Sequence, residues 1–224
     1  MNHDFLHYAT RHHGLSRMHL ETYAARSTSH ISAQISPMII EERSLNIAQL
    51  DVFSRLMMDR IIFLGVPIND YVANVIQAQL LFLHSTDAKR DVQLFINSPG
   101  GSVTAGLGIY DTMQYIGPDV ATICTSLSAS MSAVLLASGA KGKRSALPHA
   151  RVMIHQPSGG MQGQVADMEI SYRLVKSLQK QLYTILSEHT GQDYATIEAD
   201  SDRDNWMEAE AARDYGLIDE VLTR

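Results

Sequence analysis

Apolar residues alternate along the chain between short continuous runs and longer stretches with helical spacing. The runs at 60–64, 92–96, 120–124 and 151–154 are typical of buried strands. The stretches at 71–84 and 104–116 repeat apolar residues every three or four positions, and 131–138 predicts a helix of small residues that ends at Gly139. Short strands that alternate with helices predict an α/β domain with a largely parallel sheet.

The pattern changes after the fourth predicted strand. A glycine-containing loop at 157–163 precedes one long predicted helix at 165–188. Its apolar stripe must be buried against something, so we expect this helix either to contact another subunit or to cover the core of its own domain. The stripe consists of Met168, Tyr172, Val175, Leu178, Leu182 and Ile185. A helix at 208–215, ended by Gly216, and a strand at 217–222 complete the prediction.

Residues 1–36 lack this regular pattern and predict an N-terminal arm or a removable pro-segment, followed by one domain at 37–224. The arm carries six histidines, but their spacing matches no metal-ligand pattern, so no metal is expected. They are His3, His7, His12, His13, His19 and His30.

Composition narrows the possible partners and the compartment. The net charge is −6 and the basic residues form no large cluster, so nucleic acid is not an expected partner. No apolar run approaches the roughly 20 residues of a membrane span. The single cysteine, Cys124, cannot form an intrachain disulfide and is expected to pack in the core. It suits a reducing compartment, and we expect a cytoplasmic protein.

Three chemically promising features each follow a predicted strand: a glycine turn at 97–102, Ser130, and His155. The carboxyl ends of parallel strands meet at one edge of a sheet, where active sites gather. A serine at a strand-to-helix turn is a candidate nucleophile, and a histidine is its natural base. The amides of the glycine turn and of Met131 could stabilise an oxyanion. The combination predicts a serine hydrolase.

Several positions of this site stay open on spacing alone. Ser126, Ser128 and Ser132 compete with Ser130 as the nucleophile. The carboxylate that would orient His155 could be Asp200, Asp202 or Asp204, which would face one way in an extended chain. The glycines near 139–143 are too closely spaced for a phosphate-binding loop, so the chain is not expected to hydrolyse ATP, and no HExxH or paired-cysteine motif suggests a metal.

Six segments, in this order, resemble the Clp protease family, serine peptidases with a crotonase-like fold of repeated strand–helix units. They are FSRL at 53–56, RIIFL at 60–64, INSPGG at 96–101, IYDTM at 109–113, GKR at 142–144 and RVMIHQP at 151–157. The resemblance covers nearly all of 37–222. It implies Ser130 as nucleophile, His155 as base and Asp204 as the orienting carboxylate. It places the oxyanion amides on Gly101 and Met131.

The resemblance also implies an assembly. Two stacked seven-membered rings would enclose the sites, with the 165–188 helix as a protruding handle between rings and Arg203 pairing with Asp202 of the opposite ring. A separate AAA+ ATPase would use the ATP and deliver unfolded polypeptides, while this chain itself holds no cofactor. The segment at 37–41 would line the axial pore. The ATPase would dock near Phe95, Tyr115, Ile123 and Leu222.

One departure from the family pattern is visible beside the candidate nucleophile. Ser126 stands where family members usually carry glycine, and Ser132 stands where they usually carry glycine or alanine. We expect these extra side chains to narrow the substrate pocket or to add hydroxyl groups, with an effect on activity. They leave a non-catalytic ring subunit as one alternative function. A crotonase-type acyl-CoA hydratase or isomerase is the other alternative, because that fold also surrounds a thioester oxyanion with glycine-rich amides.

Overall fold

The computed structural model describes residues 38–43, 46–159 and 162–223. The predicted arm at 1–36 and its histidines lie outside these residues. A hairpin of β1 (Met38–Arg43) and β2 (Asn46–Asp51) pairs antiparallel, with Met38 opposite Asp51. Four of the five residues predicted to line a pore, 38–41, lie in β1. The hairpin and the part of the chain from Phe53 onward are separate compact units.

The second unit confirms the predicted alternation of strands and helices. Its elements, in chain order, are α1 (Val52–Met58), β3 (Ile61–Leu64), α2 (Asp70–Thr86), β4 (Val92–Ser98), α3 (Val103–Tyr115), β5 (Val120–Ala129), α4 (Met131–Ala137), β6 (Arg144–Ala146), β7 (Arg151–Ile154), α5 (Val165–Thr190), α6 (Tyr194–Asp200), β8 (Asn205–Glu208), α7 (Ala209–Tyr215) and β9 (Glu220–Val221).

The sheet is parallel along the order β3–β4–β5–β6–β9. β5 is long enough to pair with β6 in its first half and with β7 in its second half, again in parallel. β8 pairs antiparallel with β7. The carboxyl ends of β4, β5 and β7 therefore lie along one edge, and the start of β8 reaches the same edge from the opposite direction.

The core lies between the sheet and the helices. Alternate residues of β4 are buried, among them Leu94 and Ile96, because successive side chains of a strand point to opposite faces. Asn69 caps α2 by accepting a hydrogen bond from the Val72 N–H, and Ser102 caps α3. Cys124 is fully buried, and burial raises the pKa of its thiol to about 12, which confirms the prediction that it packs in the core.

A buried arginine joins the ends of three helices. The Arg144 guanidinium donates to the carbonyls of Ala137, His189 and Gly216, at the ends of α4, α5 and α7, over 2.8–3.1 Å. The same group forms two hydrogen bonds to Asp219. Burial opposes the charge of Asp219, but these hydrogen bonds hold the pKa of its carboxyl below the ordinary value. A cation is favourable here because carbonyl groups at helix ends carry partial negative charge.

The second half of helix α5 confirms the expectation that its apolar stripe covers the core of its own unit, whereas the contact with another subunit stays a prediction. Leu182, Ile185 and Leu186 are buried in the core of the unit. In the first half, Ile170, Tyr172 and others stay exposed. No helix in the described part of the chain is long and apolar enough to cross a membrane, and these residues contain no group of three side chains that could hold a metal ion.

Three predictions about the fold were wrong in detail. The strand β5 continues through Ser128 to Ala129, well past residue 124. The last strand spans two residues rather than 217–222, because the Leu217 N–H still donates to the Ala212 carbonyl of α7. The segment around Asp200 is not extended, since Asp200 is the last residue of α6, so the three aspartates do not share one strand face.

Candidate active site

Ser130 occupies a sharp turn between β5 and α4. Its backbone has φ 57° and ψ −127°, a conformation that residues other than glycine rarely adopt. The Ser130 N–H donates to the Met153 carbonyl of the neighbouring strand over 2.8 Å, which fixes the turn. Although Ser130 is the N-cap residue of α4, its side chain caps no backbone N–H. Its Oγ lies 2.8 Å from His155 Nε2 instead.

The pairing of β7 with β8 brings His155 opposite Asp204. Ile154 is the last residue of β7 and stands across from Asn205, the first residue of β8. One step further along an antiparallel pair places His155 across from Asp204. His155 Nδ1 lies 3.1 Å from Asp204 Oδ1. The His155 side chain is 22% exposed and that of Asp204 is 59% exposed, so the pair lies at the rim of a cleft.

The other two candidate aspartates have different partners. Asp200 Oδ2 accepts a hydrogen bond from the Tyr215 hydroxyl over 2.9 Å. Asp202 accepts from the Gln156 side-chain amide, through its backbone carbonyl at 2.7 Å and its carboxylate at 3.3 Å. The structure thus brings Asp204, of the three alternatives, to the imidazole of His155.

The glycine turn lies directly against the serine turn. Gly100 has φ 88°, and a Cβ atom added there would lie 2.8 Å from Ser130 Cβ and 2.9 Å from the Met131 nitrogen. Gly101, with φ 147°, has no room for a side chain because the Ile68 backbone covers it. Neither the Gly101 N–H nor the Met131 N–H donates a hydrogen bond to another residue that the structure describes. Both amides are available to an oxygen atom beside Ser130.

The competing serines have other surroundings. Ser128 and Ser132 are fully buried and donate hydrogen bonds to backbone carbonyls. Ser126 is exposed on β5, ahead of the turn. Neither Ser126 nor Ser132 lines the pocket beside Ser130, so the expectation that they narrow it is wrong. Ser130 is the member of this group whose hydroxyl contacts a histidine.

An apolar pocket adjoins Ser130 and His155 and ends at the buried half of α5. Its walls include Val103, Met131, Val134, Ile154, Leu182 and Leu186. The contribution of α5 to this pocket was not predicted, and the signal for it was the helical spacing of Leu182 and Ile185 toward the core.

Two of the predicted ATPase-docking residues, Phe95 and Ile123, are register partners in β4 and β5, so their side chains share one face of the sheet. Phe63, which was not predicted, is paired with Phe95 and extends this row into β3. Leu222 lies on the far side of β6, where its N–H donates to the Ala146 carbonyl. Tyr115 lies on a different element, at the end of α3, and is 78% exposed.

Asp202 and Arg203 are neighbours on the loop before β8. The Arg203 Nε lies 3.6 Å from Asp202 Oδ2 of the same chain, and both side chains are largely exposed. The prediction pairs Arg203 with Asp202 of another subunit, and both groups are accessible for such a contact.

A hydroxyl group in contact with an imidazole, a carboxylate on the far side of that imidazole, and two unused backbone N–H groups define a serine hydrolase. A model of the Clp protease family matches residues 43–224. The chain belongs to the Clp protease family.

Curated relatives match the chain over nearly its full length. A protein from Porphyromonas gingivalis strain W83, an ATP-dependent Clp protease proteolytic subunit, is 61% identical over 221 residues, which cover 99% of this chain and 98% of the relative. Proteins with the same description from Bacteroides fragilis strain YCH46 and from Bacteroides thetaiotaomicron are each 59% identical over 221 residues, covering 99% of both chains.

Proposed function

We propose that Ser130, His155 and Asp204 are the residues with which this chain hydrolyses the peptide bonds of its substrates. The chain is a proteolytic subunit of an ATP-dependent Clp protease and a serine endopeptidase. The observation that supports this assignment most directly is the 2.8 Å contact between Ser130 Oγ and His155 Nε2, with Asp204 Oδ1 at 3.1 Å from the other ring nitrogen.

The reaction follows from these contacts. His155 Nε2 takes the Ser130 proton as Oγ attacks the carbonyl carbon of the scissile peptide bond. The N–H groups of Gly101 and Met131 donate hydrogen bonds to the oxyanion of the tetrahedral intermediate. His155 then gives its proton to the leaving amine, which departs and leaves an acyl group on Ser130. Water, deprotonated by His155, attacks this ester and releases the acid and the free serine.

Asp204 acts through His155. An Nδ1–H donated to the Asp204 carboxylate fixes the tautomer in which Nε2 is free to accept the serine proton. The negative charge also stabilises the imidazolium that forms when the proton is transferred.

The substrates we propose are unfolded polypeptides, bound in extended form across the turns that carry Ser130 and Gly101. The pocket beside Ser130 is small and lined mostly by apolar side chains, which favours a small apolar side chain next to the cleaved bond.

We propose that copies of this chain assemble into two stacked heptameric rings. A separate AAA+ ATPase would bind these rings, and the assembly would work in the cytoplasm. The exposed first half of α5 and the accessible Asp202 and Arg203 support a contact between rings. The apolar row at Phe95 and Ile123 supports docking of the ATPase, with Leu222 and Tyr115 as further contacts. We propose that residues 1–36 are an arm or pro-segment and that 37–224 form the peptidase domain.

The full-length chain, treated with a fluorophosphonate and mapped by peptide mass, tests the nucleophile. We expect the label on Ser130. In Ser130→Ala, labelling and hydrolysis of a short fluorogenic peptide should be lost, the latter by about a millionfold. Ser126→Ala, which alters an exposed serine four residues away, should keep both. Rings that assemble yet take up no label would contradict the assignment and favour a non-catalytic ring subunit.

A further inference from the structure

We propose that Ser132 is a positioning residue, which holds the serine turn against the glycine turn and thereby sets the distance between the two oxyanion amides. This inference rests on the proposed function of Ser130. It concerns a side chain that is fully buried two residues after Ser130 and whose hydroxyl bonds backbone carbonyls rather than the reacting atoms.

The Ser132 hydroxyl reaches both turns at once. Its Oγ lies 2.6 Å from the Ser98 carbonyl oxygen and 2.8 Å from the Ala129 carbonyl oxygen. Ser98 is the last residue of β4 and Ala129 the last residue of β5, so each carbonyl stands at the entrance to one of the turns. The single hydroxyl proton is shared between two acceptors on neighbouring strands.

The backbone ladder is irregular where this contact occurs. Ile96 pairs with Cys124, but the next pair joins Ser98 to Ser128, two residues along one strand and four along the other. Such a bulge interrupts the regular hydrogen bonds that otherwise fix one strand against the next. The Ser98 carbonyl accepts from the Ser132 side chain at this point. The side-chain contact of Ser132 thus adds to a ladder that holds the two strand ends together only through the Ser98–Ser128 pair.

Both oxyanion donors lie close behind these anchor points. Met131 follows Ala129 by two residues, and Gly101 follows Ser98 by three. Ser98 also fixes the glycine turn from within, since its Oγ donates to the Val66 carbonyl and accepts the Gly100 N–H. The Ser132 hydroxyl thus connects the glycine turn, which Ser98 holds in place, to the end of β5, which leads into the turn with Ser130.

The distance between the donors matters because an oxyanion is stabilised only when both N–H groups reach it at about 2.7–3.1 Å. In this chain, where Ser132 stands in place of the glycine or alanine usual in the family, the two turns have come to share this hydroxyl as a donor, and removing it leaves both carbonyls without it and lets the turns separate. The loss of one complete donor lowers the rate by about 10²–10³-fold. A donor that is displaced rather than lost should cost less, and we expect about a tenfold lower kcat with an unchanged KM.

Ser128 offers a matched control. It is fully buried like Ser132, and its hydroxyl donates over 2.8 Å to the Ser132 carbonyl, within the segment that forms the serine turn. Ser128→Ala therefore removes a buried hydroxyl and one hydrogen bond without removing a side-chain contact to the glycine turn. Ser126→Ala controls for the loss of an exposed hydroxyl on the same strand.

The experiment compares full-length wild type, Ser132→Ala and Ser132→Gly with Ser128→Ala and Ser126→Ala. A peptide boronate is the probe, because its tetrahedral adduct with Ser130 places a charged oxygen where the oxyanion would lie. We expect the boronate Ki to rise about tenfold in both Ser132 variants, in parallel with the fall in kcat, and to stay within twofold of wild type in the two controls. Thermal unfolding of each variant separates positioning from stability.

Two results would overturn the inference. Ser132→Ala and Ser132→Gly could both keep the wild-type kcat and boronate Ki. Alternatively, Ser128→Ala could raise the boronate Ki as much as Ser132→Ala does, which would indicate general loosening of the turn. In either case a wild-type chain that binds the boronate at Ser130 leaves the proposed function intact, whereas a wild type that binds none at Ser130 overturns both proposals.

Discussion

Replacing Asp204 by asparagine removes one negative charge 3.1 Å from His155 Nδ1 and keeps the shape of the side chain. Where the aspartate of such a triad is buried, the same change lowers kcat by about 10⁴-fold, because the neutral amide no longer favours the productive tautomer or the imidazolium. Asp204 is 59% exposed, so water already screens part of its charge. We therefore expect kcat to fall by about 10²–10³-fold in Asp204→Asn, with little change in KM.

The assay is steady-state hydrolysis of a short fluorogenic peptide that needs no ATPase, with size-exclusion chromatography to confirm that the assembly is unchanged. Asp200→Asn, at the end of α6 and four residues before Asp204, is the matched control, because asparagine can still accept the hydrogen bond from the Tyr215 hydroxyl. Its kcat should stay within twofold of wild type. If Asp204→Asn kept more than half of the wild-type kcat, the Asp204 carboxylate would not serve His155 in the way its distance suggests.

Two further substitutions test the packing of the glycine turn against Ser130 and the hydrogen bonds of the buried Arg144. Gly100→Ala forces a side chain into a positive-φ position and against Ser130, so we expect about 1–3 kcal/mol of backbone strain. The kcat for the fluorogenic peptide should fall at least tenfold. An unchanged kcat would contradict the close packing of the glycine turn against the serine turn. Arg144→Met removes the guanidinium from three carbonyls and from Asp219, which keeps only the backbone N–H groups of Gly142 and residue 144 as donors. It should lower the unfolding free energy in urea by about 3–5 kcal/mol. Lys143→Met, which removes two neighbouring but exposed ion pairs, should lower the unfolding free energy far less than Arg144→Met does. Equal losses in the two variants would refute a special role for the buried guanidinium.

The alternation of strands and helices could be predicted because most of these elements are long enough to show a clear period. The predicted boundaries of α2, β4 and α3 lie within two residues of the observed ones. The short strands β6 and β8 were missed because their sequences, RSA and NWME, lack the continuous apolar run that revealed the equally short β3 and β7. The helix α6 was missed although Asp193 caps it by accepting the Thr196 N–H, a signal that its sequence contained.

The residues of the site also divide into those that a local pattern predicts and those that depend on how distant strands pair. Ser130, His155 and the glycine turn could be placed together because each follows a strand, and parallel strands end at one edge. Asp204 could not be chosen on spacing, since the choice depends on a pairing between β7 and β8 that joins residues about 50 positions apart. The buried contacts of Ser132 depend likewise on the bulge between β4 and β5, which no local pattern predicts.

The antiparallel direction of β8 explains how a residue that precedes a strand can take part in this site. In a parallel sheet, the residue before a strand lies at the amino edge, a full strand length from the edge that carries Ser130 and His155. Asp204 directly precedes β8, yet it lies 3.1 Å from His155 because β8 runs opposite to β7. A carboxylate at this place in the chain order can therefore reach the imidazole only if the last strand of the site reverses. The reversal of β8 is thus a requirement of the chemistry as much as a feature of the fold.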